Sequence, residues 1–213
     1  MKFRHIAIDG PIGVGKSSLV KRLGQKFDAE IVMEKVDNPF LAAFYEDQPA
    51  AAFQAQLWFL LSRYRQQVQL AQRSLFHQSV ITDYIFAKDK IFAYLTLNDS
   101  ELLIYDKLYD MLEPQVPKHD LVIYLHATTD VLLRRIEGRR RDFESDILPS
   151  YIDQVNNAYN HYFFHYKQTP LLVIDTSAID FVHEAADLDD LVTRIRSMDR
   201  GVQYYNPLPS QEK

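Results

Sequence analysis

Residues 10–17, "GPIGVGKS", follow the order glycine, four residues, glycine, lysine, serine. That pattern holds nucleotide phosphates: glycines let successive backbone N–H groups turn inward around phosphate oxygens, and the helix that begins at the lysine adds the positive end of its dipole. In such a loop Lys16 bridges the β and γ phosphates and Ser17 holds Mg2+. Two carboxylates close apolar runs further on, Glu34 in "VMEKV" and Asp83 in "SVITDYIF". One such acid can take the proton of an attacking hydroxyl while the other supports a metal, although each taken singly also reads as a solvated loop residue. A third group lies in "LLRRIEGRRRDFESD", where Arg135 and Arg139 are four apart on one helix face and Arg141 lies just beyond. The planar guanidinium suits phosphate oxygens. The same arginines also read as a basic helix end in solvent or a short nucleic-acid patch.

Such residues need elements that bring several chain segments to one place. Five runs rich in isoleucine and valine, "FRHIAIDG", "EIVMEKV", "SVITDYIF", "HDLVIYLHA" and "PLLVIDTS", alternate with helical patterns. This predicts an α/β fold with a five-stranded, mostly parallel sheet flanked by helices, with ligands at the carboxyl ends of the strands. Between the second and third runs, Phe53, Leu57, Leu60, Tyr64, Val68, Ala71 and Leu75 recur at steps of three and four, the stripe of a long helix. One domain over residues 1–200 is expected, followed by a frayed tail at 201–213 that ends in "YYNPLPSQEK".

Composition removes several classes. The 213 residues suffice for one domain with a sizeable core, and the lack of cysteine excludes disulfides and thiolate metal sites. A formal charge of -5 argues against a dedicated nucleic-acid binder. No apolar run reaches the length of a membrane span or leader, so a cytoplasmic protein with no membrane partner is expected. The histidines are scattered. His161 and His165 are four apart, but the surrounding Tyr159, Tyr162, Phe163 and Phe164 point to a core or subunit-interface face before a metal pair.

The combination of "GPIGVGKSSL", Glu34 in "VMEKV", "FQAQLWFLLSR", Asp83 and "RRIEGRRRDFE" resembles the deoxynucleoside kinases in order and spacing, from Phe3 to about residue 183. The resemblance implies a three-layer P-loop kinase fold with an Arg-rich lid. It also implies transfer of the ATP γ-phosphate to the 5'-hydroxyl of a deoxynucleoside, a purine from the wording of the helix, and a homodimer packed through helices. ATP falls on Gly10, Pro11, Ile12, Gly13, Val14, Gly15, Lys16, Ser17 and Ser18, with Phe181 near the adenine and Arg135, Arg139 and Arg141 in the lid. Glu34 matches the general base, and Tyr45 and Glu144 match the pair on the sugar 3'-hydroxyl. Gln56 matches the glutamine on the base edge, and Arg63 with Asp89 the pair that reads the base. Asp83 and Ser17 are the Mg2+ supports. A thymidylate-like monophosphate kinase and a nucleotide-binding regulator with a degenerate site are the alternatives.

The chain departs from the family at one position. After the acidic residue the family commonly has arginine; here it is Tyr84, which lacks the guanidinium's charge and its five donors. Compensation by the lid, a neutral hydroxyl donor, low activity and simple packing at a strand end all fit that substitution.

Overall fold

Short β-branched and leucine-rich runs build the sheet: β1 (His5–Asp9), β2 (Glu30–Val32), β3 (Val80–Thr82), β4 (Leu121–His126), β5 (Leu171–Asp175) and β6 (Val202–Tyr205). They belong to a computed structural model that describes residues 2–46, 48–73, 79–139 and 148–207. The order is β2-β3-β1-β4-β5-β6 and every neighbouring pair is parallel, with Ile6 opposite both Ile81 and Leu121. The chain leaves β1 toward one edge and, after β3, builds toward the other, so the end of β1 lies at the topological switch where open parallel sheets bind ligands.

Six strands stand where five were expected. Val202–Tyr205 falls in the stretch expected to be a frayed tail, yet it pairs in parallel with β5, Leu171 opposite Val202 and Ile174 opposite Tyr205. The reason lies in the pattern. This edge strand alternates, with Val202 and Tyr204 exposed and Tyr205 packed on the core, so it carries no continuous apolar run like those of the central strands.

By its internal contacts the chain forms two compact units, residues 1–33, 77–84 and 119–213, and residues 34–76 and 85–118. The first holds the sheet with helices α1 (Lys16–Phe27), α6 (Thr129–Arg139), α7 (Pro149–Phe164) and α8 (Ala185–Ser197). Its core joins Ile6, Ile8, Ile81, Ile123 and Leu125 of the strands to Leu19, Leu23, Leu132, Ile152 and Leu191 of the helices. The second unit is helical: α2 (Leu41–Tyr45), α3 (Ala51–Arg73), α4 (Lys88–Thr96) and α5 (Asp99–Leu112). Its core is smaller and aromatic, Leu60 and Phe86 with Tyr105 and Tyr109, the Phe86 and Tyr109 rings stacked with centroids 5.1 Å apart. A capping box starts α5, the Asn98 side chain accepting from Ser100 and Glu101 N–H groups while the Glu101 carboxylate accepts from Asn98 N–H.

Two strand patterns end sooner than their apolar runs. β2 stops at Val32 and β3 at Thr82, which leaves Glu34 and Asp83 on the connections just beyond the strand ends.

Candidate active site

In the sheet unit, the segment between β1 and α1 turns on glycines where a Cβ would collide with its neighbours. Gly10 lies so close to β4 that an added Cβ would meet Leu125 O at 2.2 Å. Gly15, at φ 105°, is left-handed, and a Cβ there would lie 2.8 Å from Cζ of Phe181. A ring on one side and β4 backbone on the other thus hold the loop in one shape. Asp9, fully buried, fixes its entry: Oδ1 accepts from Gly10 N–H at 2.7 Å and from the Tyr159 hydroxyl at 3.2 Å. Lys16 Nζ donates to the loop carbonyls of Gly10 and Pro11 at 2.7 and 2.9 Å, so the ammonium is held over the loop itself. Arg135 reaches the loop from α6, with Nη1 donating to Val14 O and Thr176 Oγ1 at 3.3 and 3.0 Å. Its Nη2 donates to Thr176 O and Ile179 O at 2.6 and 3.3 Å. A guanidinium spread over four oxygens fastens the phosphate loop to the turn after β5.

Ser17, in the first turn of α1, donates its hydroxyl to Asp83 Oδ2 at 3.2 Å. Two hard oxygen donors beside a phosphate loop suit Mg2+, which keeps most of its shell as water and substrate phosphate and needs only one or two protein ligands. Among the described residues no cluster of three or more histidine or acidic side chains forms a protein-only metal cage. Ser17 and Asp83 therefore fit the ion, whose charge, when bound, offsets that of the phosphates.

The helical unit holds the second concentration of charge. The buried face of α3 carries Gln56, Leu60, Arg63 and Gln67, so polar residues lie where an amphipathic helix normally puts hydrocarbon. Arg63 donates from Nε to Glu34 Oε1 at 3.0 Å and from Nη2 to the same oxygen, while Nη1 pairs with Asp89. Lys88 Nζ, from the first turn of α4, pairs with Glu34 Oε2. Two cations and two carboxylates thus neutralise one another, all with little exposure. Burial alone would push the Glu34 carboxyl up; the charges and hydrogen bonds of Lys88 and Arg63 outweigh it and hold that carboxyl well below the usual carboxylate range. Loss of one partner from such a group leaves a buried charge uncompensated, at a cost of about 3–5 kcal/mol. Phe59 covers the cluster, its ring centroid 4.8 Å from the Arg63 guanidinium carbon. The stretch after Glu34 is pinned to α3, Asn38 Nδ2 donating to Ala55 O at 3.0 Å and Asn38 Oδ1 accepting from Phe40 N–H at 2.9 Å.

The expected site residues fall into groups. The loop residues with Ser17, Asp83, Arg135 and Phe181 come together in the sheet unit. Glu34, Arg63 and Asp89 come together in the helical unit. Gln56 is buried seven residues before Arg63, its Nε2 donating to Thr96 Oγ1 at 3.2 Å and its Oε1 without a hydrogen-bond partner. Tyr45 stands half-exposed at the end of α2 against Phe44. Arg139 ends α6, its side chain outside the described residues, as are Arg141 and Glu144 altogether. Phe181 is buried in the core beside Gly15, and Tyr84 is fully buried.

Four participants were missed. Lys88 follows the run "YIFA" and reads as a helix-start residue; its one signal was a cation next to Asp89. Asp9 directly precedes the loop, a position that could have marked it. Gln67 lies one turn beyond Arg63, fully buried with neither amide atom hydrogen-bonded, and Thr96 partners Gln56; neither left a signal in the sequence.

A glycine loop that runs from the middle strand of a parallel sheet into a helix, with lysine, serine and an aspartate at its rim, defines a phosphate-loop nucleotide-binding protein. The sequence matches the deoxynucleoside kinase family over residues 6–198, and the chain belongs to that family. It is an ATP-dependent phosphotransferase that acts on deoxynucleosides. It is 36% identical over 199 residues to the deoxyguanosine kinase of Bacillus subtilis (strain 168), covering 91% of this chain and 96% of that one. It is 35% identical over 165 residues to the deoxyadenosine kinase of Dictyostelium discoideum, covering 74% and 66%. The fold is similar to that of deoxyadenosine kinase from M. mycoides with the products dCMP and a flexible dCDP bound, at a TM-score of 0.77 and 25% identity over 91% of this chain and 100% of that one.

Proposed function

We propose that the protein transfers the γ-phosphate of Mg-ATP to the 5'-hydroxyl of a purine deoxynucleoside, deoxyguanosine or deoxyadenosine, in nucleotide salvage. The observation that carries this reading is the buried face of α3, where Gln56 keeps an unpartnered acceptor and Arg63 is ion-paired with Asp89. A purine edge offers donors and acceptors in a row, and burial of unpaired polar groups is costly unless a ligand completes them. The names of the relatives from Bacillus subtilis and Dictyostelium discoideum support the choice of purines.

In this reading Glu34 orients the 5'-hydroxyl and takes its proton. A carboxylate of low basicity suffices, because phosphoryl transfer passes through a loose transition state in which the nucleophile contributes little bonding. Lys16 and the loop N–H groups hold the triphosphate, Ser17 and Asp83 hold Mg2+, Arg135 braces the loop, and Arg139 and Arg141 reach the phosphoryl group from the lid. Phe181 stands near the adenine of ATP, and Tyr45 with Glu144 holds the 3'-hydroxyl. The family match over residues 6–198 supports one kinase domain over 1–200. Exposed Leu103, Ile104 and Met111 along one face of α5 support a homodimer packed through helices. Among the described residues no helix is long and apolar enough to cross a membrane, which is in keeping with a cytoplasmic enzyme.

The test is a Mg-ATP phosphorylation assay with deoxyguanosine, deoxyadenosine, deoxycytidine, thymidine and thymidylate supplied singly. Purine deoxynucleosides are expected to lead, with a 5'-monophosphate as product. Turnover of thymidylate alone, or nucleotide binding with no turnover of any acceptor, would overturn the reading.

A further inference from the structure

The deoxynucleoside kinase pattern places an arginine directly after the acidic residue just beyond β3, and this chain has Tyr84, a fully buried phenol with no fixed charge. A catalytic carboxylate buried as deeply as Glu34 nevertheless needs a permanent cation, since an unpaired buried charge is strongly unfavourable. The chain supplies one four residues later. Lys88 opens α4 with its side chain almost wholly buried, and among the described residues the only carboxylate its Nζ pairs with is Glu34. The ammonium also lies 5.8 Å from the Phe92 ring centroid.

The two oxygens of Glu34 are served differently. Oε1 accepts from Arg63, whose third donor goes to Asp89, and Oε2 accepts from Lys88. Arg63 and Asp89 are the pair assigned to the nucleobase, so the hold of Arg63 on Oε1 competes with substrate. Lys88 has no such second duty. We infer that Lys88 is the positioning residue of this kinase's general base: it takes over, from the first turn of α4, the charge that the family's arginine carries, and keeps Glu34 aligned through Oε2 while Oε1, which accepts from Arg63 in this structure, meets the 5'-hydroxyl. This inference rests on the reading of Glu34 as general base.

The experiment compares the wild type with Lys88→Met, Lys88→Arg and Glu34→Gln, measuring kcat and KM for deoxyguanosine across pH 5 to 9. Lys88→Met is expected to lower kcat about tenfold or more, part of the factor of about 10²–10⁴ that a general base contributes, with KM within about threefold. An acid limb, which Glu34 does not give the wild type above pH 5 because its carboxyl is held well below the usual range, should enter the kcat profile of Lys88→Met, because Glu34 then loses the charge of Lys88 and keeps that of Arg63, itself partly engaged by Asp89. Lys88→Arg should restore most of the turnover. Wild-type kcat with no acid limb between pH 5 and 9 in Lys88→Met would overturn the inference, as would a loss confined to KM that Lys88→Arg does not repair. Should Lys88→Met fail to fold, Lys88→Gln decides by the same profile. Inactive Glu34→Gln beside unimpaired Lys88→Met would sink only the Lys88 inference; fully active Glu34→Gln would sink the reading beneath it.

Discussion

The phosphate loop draws on eight consecutive residues and works mainly through its backbone, whereas the charge cluster draws on residues 34, 63, 88 and 89 and works through side chains. In the loop, shape comes from steric necessity: a Cβ at Gly10 would meet Leu125 O and one at Gly15 the Phe181 ring, and Asp9 and Arg135 tie both ends down with hydrogen bonds. In the cluster, shape comes from mutual neutralisation, and a charge can be delivered from more than one place on the chain. That difference explains why the loop follows its pattern residue by residue, while an arginine expected at 84 can give way to a lysine at 88. Backbone sites tolerate little relocation; side-chain sites tolerate it as long as the charges meet.

The contrast can be broken most severely at Lys16. Lys16→Met removes the one cationic side chain of the loop, the group proposed to hold the triphosphate, and kcat/KM for ATP should fall by about a hundredfold to a thousandfold, with deoxynucleoside affinity, read by calorimetry, changed less than about threefold. Equal losses for both ligands would mean that the two regions do not divide the work in this way. A smaller effect is expected at Gly15. Gly15→Ala sets a Cβ against Phe181 at a left-handed φ, and thermal unfolding should report a loss of about 1–3 kcal/mol together with weaker ATP binding. An alanine that costs nothing would show that the loop is not held by steric necessity.

The smallest expected effect is on the pH dependence of the sheet unit. His5 and His119 stack with ring centroids 4.3 Å apart; burial pulls His5 down to about 4, against a raising influence from Asp120, and pulls His119 well down as well. The unfolded chain then binds protons near pH 6.5 that the folded chain refuses. Stability is complete above that value and falls as pH drops toward 4, by at most about 1.4 kcal/mol per pH unit for each histidine. Glu34 adds nothing in this window, because a carboxyl held low loses its contribution only below the unfolded value of about 4.3. Urea unfolding at pH 7.5, 6.5 and 5.5 reads the slope directly, and a flat profile would contradict two neutral buried imidazoles.

The same contrast governs what was legible in the sequence. The central strands announced themselves because burial on both faces requires continuous apolar runs, and the loop did because its chemistry needs neighbours in sequence. β6 escaped because an edge strand shows only alternation, in a stretch whose prolines suggested fraying. Gln56 and Arg63 have the spacing of one helix face, but nothing in their types says that this face is the buried one; only the family resemblance singled them out. Lys88 was illegible for a further reason. Its partner Glu34 is 54 residues away, and no local pattern records a pairing at that separation.

The claim that the helical unit chooses the acceptor while the phosphate loop handles the donor is tested most directly by the steady-state kinetics of Arg63→Ala. The account predicts that kcat/KM is redistributed among deoxyguanosine, deoxyadenosine and deoxycytidine by about tenfold or more, with the ATP KM within about twofold of wild type. An unchanged order of bases together with a large rise in the ATP KM would contradict it.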